Sequence, residues 1–286
     1  MNRILVTGAN GCLGTALTSL LQDRHIDYVA LGRRPLGKHK HELCVDITDP
    51  VAFNKTIVAV APSKIFHLAG SFENEWPRDW AMNFESTRTL LDSALTLRER
   101  PRILLIGSAA EYGPVPSELN PIRETQPVAP RSVYALTKSM QSLLFSFYSN
   151  TFGLDIVLAR VFNLLGTGLS TKLFVGRLES QIAEYKAGIR PFVEVGNTSA
   201  IRDYIRVEDA ALALIHLMDE AQAGGIYNVG TGTGTRIQDL LMSIIGEQNI
   251  AADKVFSTGR TKSDGNDPSV AIADVTKLKQ LGFPIG

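Results

Sequence analysis

Apolar residues along this chain gather in short unbroken runs that alternate with longer stretches of helical spacing. The runs Ile4-Leu5-Val6, Tyr28-Val29-Ala30-Leu31, Lys64 to Gly70, Ile103-Leu104-Leu105-Ile106 and Asp155 to Arg160 predict strands, most of them buried on both faces. Between them, Leu13, Leu17, Leu20 and Leu21 recur on one helical face, as do Leu90, Leu91 and Ala94 in a helix read from Trp80 to Leu97. A long helix is predicted from Ser132 to Phe152, with Met140, Leu143, Leu144 and Phe147 as its apolar face. Val45 to Asp49 closes a short third strand, and Pro50 opens a helix with Asp49 as its cap. Strands and helices in alternation mean a doubly wound parallel sheet, an α/β fold.

After Phe162-Asn163 the pattern loosens and a smaller lobe is expected to begin. Val207, Ala210, Ala211, Leu214 and Leu217 mark a helix, Ile226-Tyr227-Asn228-Val229 a short strand, and Ile237, Leu240, Leu241, Ile244 and Ile245 another helix. The division read from this is a first domain over residues 1–162, to which parts of 203–230 return, and a second lobe over 163–202 and 231–286. The stretch holding Pro114, Pro116, Pro121, Pro127 and Pro130 is too polar for core and reads as an ordered, lid-like connection.

Composition narrows the function. The 286 residues suffice for one large core plus a smaller lobe. Lys plus Arg and Asp plus Glu each number 29, so the net charge is zero, which argues against nucleic-acid and membrane-surface partners. No apolar run approaches the ~20 residues of a membrane span. The first strand begins at about Arg3, leaving no room for a secretory leader, and Cys12 and Cys44 make no metal-type pair. A reducing, cytoplasmic compartment without a metal site is expected. His67, with no second histidine nearby, reads as structural.

The first chemistry-bearing stretch is Val6-Thr7-Gly8-Ala9-Asn10-Gly11-Cys12-Leu13-Gly14, a strand-to-helix turn. Glycines there allow a tight turn and close backbone approach, and the free N–H groups of the helix start attract a pyrophosphate. A buried turn that binds nothing also wants glycine. The second strand ends at Gly32-Arg33-Arg34, where an NAD site usually has an acid for the ribose 2′-hydroxyl. Arginine can pair with a 2′-phosphate instead, which favours NADP(H) and leaves NAD(H) possible; two solvated loop charges are the plain alternative. Asp46 and Ile47 would lie beside the adenine, and small residues at Leu68-Ala69-Gly70 would let a cofactor approach.

Ser108 follows a buried strand, and Tyr134 and Lys138 share a helix face one turn apart. A ketone that accepts hydride needs a proton donor and a polar partner for its oxygen. A phenol near its unperturbed pKa of ~10 exchanges its proton poorly at neutral pH. A lysine ammonium one turn away is expected to lower it, and Ser108 could hold the same oxygen. A non-catalytic dinucleotide sensor would not need these three residues together.

The ordered set Thr7 to Gly14, His67-Leu68-Ala69-Gly70, Ser108 with Tyr112-Gly113, Tyr134-Ala135-Leu136-Thr137-Lys138, Arg160-Val161-Phe162-Asn163, Arg202-Asp203-Tyr204 and Tyr227-Asn228-Val229-Gly230 resembles the extended branch of the short-chain dehydrogenase/reductases. The resemblance implies a Rossmann domain binding NAD(P), a C-terminal lobe binding a nucleotide sugar, and a homodimer formed through the helices carrying Asn83 and Tyr134. It implies catalysis by Ser108, Tyr134 and Lys138. Cofactor contacts are implied at Gly8, Asn10, Gly11, Cys12, Leu13 and Gly14, at Arg33, Arg34, Asp46 and Ile47, and at Leu68, Ala69, Gly70, Asn83, Tyr134, Lys138 and Val161. Substrate contacts are implied at Ser108, Ala109, Asn163, Arg202 and Arg260, the arginines and Asn163 toward the diphosphate.

The family's 4,6-dehydratases carry acids just after the catalytic Ser or Thr, where this chain has Ala109 and Ala110, with Glu111 one place later. Reduction of a 4-keto sugar and 4-epimerisation with retained NAD remain. Gln181 to Gly188, Val195-Gly196-Asn197 and Arg202-Asp203-Tyr204 look most like GDP-4-keto-6-deoxy-D-mannose reductases, although Arg260 to Asp267 is longer than that pattern.

Overall fold

A computed structural model of the chain describes residues 3–35, 37–257 and 269–285. The first half runs β1 (Ile4–Thr7), α1 (Cys12–Asp23), β2 (Tyr28–Gly32), β3 (Glu42–Cys44), α2 (Pro50–Val60), β4 (Lys64–His67), α3 (Trp76–Asp79), a π-helical turn (Trp80–Glu85), α4 (Ser86–Thr96), β5 (Arg102–Ser108), α5 (Val133–Phe152) and β6 (Ile156–Val161). The second half runs β7 (Asn163–Leu165), α6 (Phe174–Lys186), β8 (Val193–Val195), β9 (Ile201–Arg206), α7 (Val207–Glu220), β10 (Ile226–Val229), β11 (Gly234–Arg236), α8 (Ile237–Glu247), β12 (Val255–Ser257), β13 (Val270–Ala271) and α9 (Thr276–Gln280).

Seven parallel strands form the main sheet in the order β10-β6-β5-β4-β1-β2-β3, the doubly wound α/β arrangement expected from the alternation. The pleat sends alternate residues to opposite faces. Ile4 and Val6 join the core with Leu17 and Leu21 of α1 and Leu214 of α7, while Leu5 joins Phe53 of α2, Leu90 of α4 and Phe145 of α5. Burial on both faces explains the unbroken apolar runs, each such Leu or Ile contributing roughly 1.5–3 kcal/mol. The chain reverses its winding between β1 and β4, so a crevice opens at their carboxyl ends.

Local chemistry sets the helix ends. The Asp49 carboxylate accepts from Val51 N and Ala52 N at 3.0 Å, with Pro50 at the first position. Ser132 caps α5 by accepting from Ala135 N at 3.1 Å, and Gly153 in the left-handed region ends it. The smaller sheet centres on β9, which pairs with β7, β11 and β13; β8 pairs with β12.

Three expectations need correction. The helix read from Trp80 begins a turn earlier, at Trp76, and is π-wound over Trp80–Glu85. Leu143 and Phe147 of α5 are 67% and 53% exposed rather than core-facing. The face turned inward carries Thr137, Lys138, Gln141 and Ser142 beside Phe145 and Tyr148, because it serves a polar network as well as a core. The proline-rich stretch is not lid-like: Val115 and Ile122 are buried with Tyr112, Phe162 and Ala273 in a core cluster of their own.

Candidate active site and dinucleotide groove

The turn after β1 is built by close approach. Gly8 sits at φ +68°, and a Cβ there would meet Ala69 N at 2.6 Å. A Cβ on Gly14 would meet the Gly8 carbonyl oxygen at 2.1 Å, so α1 can rest on the turn only with glycine at 14. Gly11 N donates to Gly8 O at 3.0 Å. Gly11 caps α1 without a side-chain hydrogen bond, which leaves the leading N–H groups available to an anion. This uncapped end at the switch point, with Ala69 and the exposed Gly70 beside it, fits a dinucleotide pyrophosphate. Cys12 is half-buried and donates its S–H to Thr167 O at 3.3 Å, and burial raises its thiol pKa. Leu13 packs partly buried against the core.

At the end of β2, Arg33 and Arg34 are both exposed. Asn10 donates from Nδ2 to Arg34 O at 3.1 Å and so ties the glycine turn to this corner. Hydrogen bonds from Thr48 hold the Asp46 carboxyl below its usual range, and the Arg33 charge adds to this. Ile47 lies in the core with Phe53 and Ile57, and Val161 lies in the core on the opposite face; Leu68 is partly buried. Asn83 is fully buried: Nδ2 donates to Ser71 O at 2.8 Å and Thr137 Oγ1 at 3.0 Å, and Oδ1 accepts from Ser71 N at 2.9 Å. It clamps the loop after β4 onto α5. His67 is buried with Thr7 Oγ1 2.9 Å from Nδ1 and Thr87 Oγ1 3.3 Å from Nε2. Burial pushes its pKa down to about 3, with Lys138 adding to this, so it is neutral and both ring nitrogens are engaged.

Ser108, Tyr134 and Lys138 do come together. Ser108 ends β5 and caps the short 3₁₀ turn Ala109–Tyr112. Its hydroxyl accepts from Ala110 N at 3.2 Å and acts on the Tyr134 phenol, holding its pKa down. The Tyr134 ring meets Phe72 edge-on, with centroids 6.2 Å apart. Lys138 is buried and donates from Nζ to Ile106 O at 2.8 Å and Gln141 Oε1 at 2.9 Å. The expectation that Lys138 lowers the phenol pKa is not met here. Burial raises Tyr134 to about 12; the Ser108 side chain opposes this, while Glu111 and Asp79 reinforce it. Burial also lowers Lys138 to about 8, against the opposing pull of Glu111 and Asp79. At neutral pH the phenol is therefore protonated, the state of a proton donor.

On the other side of the cleft, Asn163 donates from Nδ2 to Asp203 O at 3.1 Å. Arg202 is buried in β9 and donates to Ile201 O at 2.9 Å. Asp203, the next residue, is buried and accepts from Thr231, Gly232 and Ala273, and Glu208 lies 3.6 Å from Arg206. Ala109 is half-buried beside the Tyr112 cluster. Arg260 lies outside the described residues.

In the sequence Glu111 is an acid one place beyond the dehydratase positions, yet it is wholly buried at the centre of the site. The Ser108-x-x-Glu111 spacing of a capping box was the available signal. Gln141, Ser142 and Asp79 gave none, because small polar residues on a helix read as solvent-facing.

Known proteins match this frame. A GDP-6-deoxy-D-mannose reductase of Pseudomonas aeruginosa is 29% identical over 245 residues, covering 84% of this chain and 78% of that protein. The structure of RMD from Pseudomonas aeruginosa complexed with NADPH superposes with a TM-score of 0.84 at 24% identity, covering 100% of this chain and 94% of that one. A Thermus thermophilus UDP-glucose 4-epimerase in complex with NAD superposes equally well, at 0.84 and 24% identity, covering 99% and 94%. The family model for NAD dependent epimerases/dehydratases matches residues 4–230, and the protein belongs to that family, an enzyme of the extended short-chain dehydrogenase/reductase type.

Proposed function

We propose that this enzyme reduces the 4-keto group of a nucleotide-activated deoxy sugar with NADPH. The observation that carries this reading is a protonated phenol facing Ser108 beside the dinucleotide groove, with Glu111, three residues after Ser108, sequestered by protein donors. Dehydration needs an acid–base group free to move protons on the sugar, and Ala109 and Ala110 supply none.

The residues have these roles. The glycine turn and the head of α1, from Gly8 to Gly14, hold the pyrophosphate, and Arg33 with Arg34 takes the 2′-phosphate. Asp46 and Ile47 flank the adenine, and Leu68, Ala69, Gly70 and Val161 line the groove, with Asn83 fixing its wall. Bound NADPH supplies the hydride to the keto carbon. Tyr134 passes its phenolic proton to the oxygen as it gains charge, Ser108 holds that oxygen, and the Lys138 ammonium stabilises the phenolate left behind. The net change is one ketone, one NADPH and one proton to one alcohol and NADP⁺. Asn163 and Arg202, with Arg260, take the substrate diphosphate; arginine suits this through paired hydrogen bonds to phosphate oxygens. Residues 1–162 with parts of 203–230 form the dinucleotide lobe, and 163–202 with 231–286 the substrate lobe.

The reductase relative and the RMD complex with NADPH support this reading. The NAD complex of a 4-epimerase supports the second one, nucleotide-sugar 4-epimerisation with retained NAD. Among the described residues no helix is long and apolar enough to cross a membrane, and both cysteines are free, which suits a cytoplasmic enzyme. The apolar stripe Leu136, Leu143 and Phe147 on α5, beside the stacked Trp76 and Trp80 and the tilted Phe84 ring, supports pairing as a homodimer. The deciding experiment incubates purified protein with NADPH and GDP-4-keto-6-deoxy-mannose. Stoichiometric NADPH oxidation with formation of the 4-hydroxy sugar is expected. Co-purified NAD with C4 inversion and no net oxidation would overturn the reductase in favour of the epimerase.

A further inference from the structure

Glu111 has no task in the reaction as described, yet it is among the most constrained side chains in the molecule. It is wholly buried, and a Cβ on Gly107 would lie 2.8 Å from its Oε1. Oε1 accepts the Ser108 backbone N–H at 2.7 Å. Oε2 accepts from Ser142 Oγ at 2.5 Å and from Arg160 Nε at 3.1 Å. Arg160 is itself buried, with its guanidinium 4.8 Å above the Tyr112 ring and a bond to Glu124 O. Ser142 lies four residues after Lys138 and eight after Tyr134, on the same stripe of α5. One carboxylate therefore links the end of β5, the catalytic face of α5 and β6.

We propose that Glu111 is the positioning residue of this site: pinned by Arg160 and Ser142, its carboxylate grips the backbone of Ser108 and thereby aims the Ser108 hydroxyl at the oxygen it shares with Tyr134. With both oxygens held by protein donors, it does not reach substrate. The inference rests on the proposed roles of Ser108, Tyr134 and Lys138.

The carboxylate also acts through its charge. Lys138 faces Glu111 from the turn after β5, Asp79 from α3 and the neutral His67 from β4; Tyr134 faces the same two carboxylates. Glu111 itself faces Arg160 on β6 and the Tyr112 phenol, which Glu124 also approaches. Glu111 raises both Lys138 and Tyr134, so removing its charge shifts both ionisations to lower pH.

The test compares Glu111→Gln and Glu111→Asp with wild-type and Ser108→Ala enzyme, below the unfolding temperature of each. For Glu111→Gln, kcat falls about 10-fold or more at little changed KM, because the Ser108 hydroxyl is misaimed. The alkaline limb of kcat/KM moves to lower pH. In protein carrying ¹³C-labelled lysine, the Lys138 midpoint moves below about 8. Glu111→Asp restores the charge without the reach, so the pH limb returns while kcat stays low. A purely structural Glu111 would lower the melting temperature and leave kcat, the pH limb and the Lys138 midpoint unmoved, which overturns the proposal. If Ser108→Ala keeps full turnover, the catalytic reading itself fails; the lysine titration needs no substrate and still reports on Glu111.

Discussion

Lys138→Met separates catalysis from stability at one position. Wild-type Lys138 is 2% exposed, and burial lowers its pKa from 10.5 to about 8. At pH 7 the folded protein therefore bears a charging cost of about 3 kcal/mol, since each tenfold loss of proton affinity is worth about 1.4 kcal/mol. Methionine keeps the apolar stem and removes that cost, but it strips a donor from Ile106 O and from Gln141 Oε1. Each orphaned acceptor costs roughly 1–3 kcal/mol. The two effects nearly cancel, so stability by urea titration at pH 7 is expected to change by no more than about 3 kcal/mol, while turnover falls about 10²-fold or more. The pH dependence is sharper evidence. Because the folded pKa lies below the unfolded one, the unfolded chain binds the extra proton between about 8 and 10.5. Wild-type stability relative to the variant therefore rises with pH through that window, by up to about 3 kcal/mol. A stability difference flat from pH 7 to pH 10, or a variant that turns over normally, would refute the reasoning.

Four further outcomes are expected. Tyr134→Phe lowers kcat about 10²-fold or more while NADPH still binds, as followed by nicotinamide fluorescence; near-normal turnover would remove Tyr134 as the acid. Arg33→Ala weakens NADPH and leaves NADH nearly unchanged in equilibrium titrations, whereas equal loss for both would end the 2′-phosphate assignment. Arg202→Ala raises KM for the sugar nucleotide strongly with NADPH affinity intact, measured by varying each substrate in turn. Leu143→Glu, at a position 67% exposed, shifts the proposed dimer toward monomer in sedimentation without unfolding it, and an unchanged mass would discount the α5 stripe as the interface.

Much of the architecture is already decided by local chemistry. Ile4-Leu5-Val6 and Ile103-Leu104-Leu105-Ile106 can only be strands covered on both faces, and their alternation with helical spacing allows few topologies. Asp49-Pro50 and Gly153 fix helix ends through hydrogen bonds made within a few residues. Spacing alone likewise puts Tyr134 and Lys138 on one face and Ser108 at a strand end. What only the tertiary structure decides involves partners distant in sequence. Leu143 and Phe147 resemble core residues until the sheet selects the opposite, polar face of α5 for packing. Val115 and Ile122 are buried because Ala273, some 150 positions later, comes to meet them. The balance at Tyr134 and Lys138 also escapes the sequence: a four-residue spacing predicts that the ammonium lowers the phenol, but burial acts on both groups at once. The neighbours that govern them include Asp79 and Glu111, from two other segments of the chain. Glu111 itself looks like one more loop acid, and only the meeting of β5, α5 and β6 turns its charge inward. Desolvation and long-range hydrogen bonds depend on what surrounds a group in space, and sequence spacing carries that information only for neighbours on the same element.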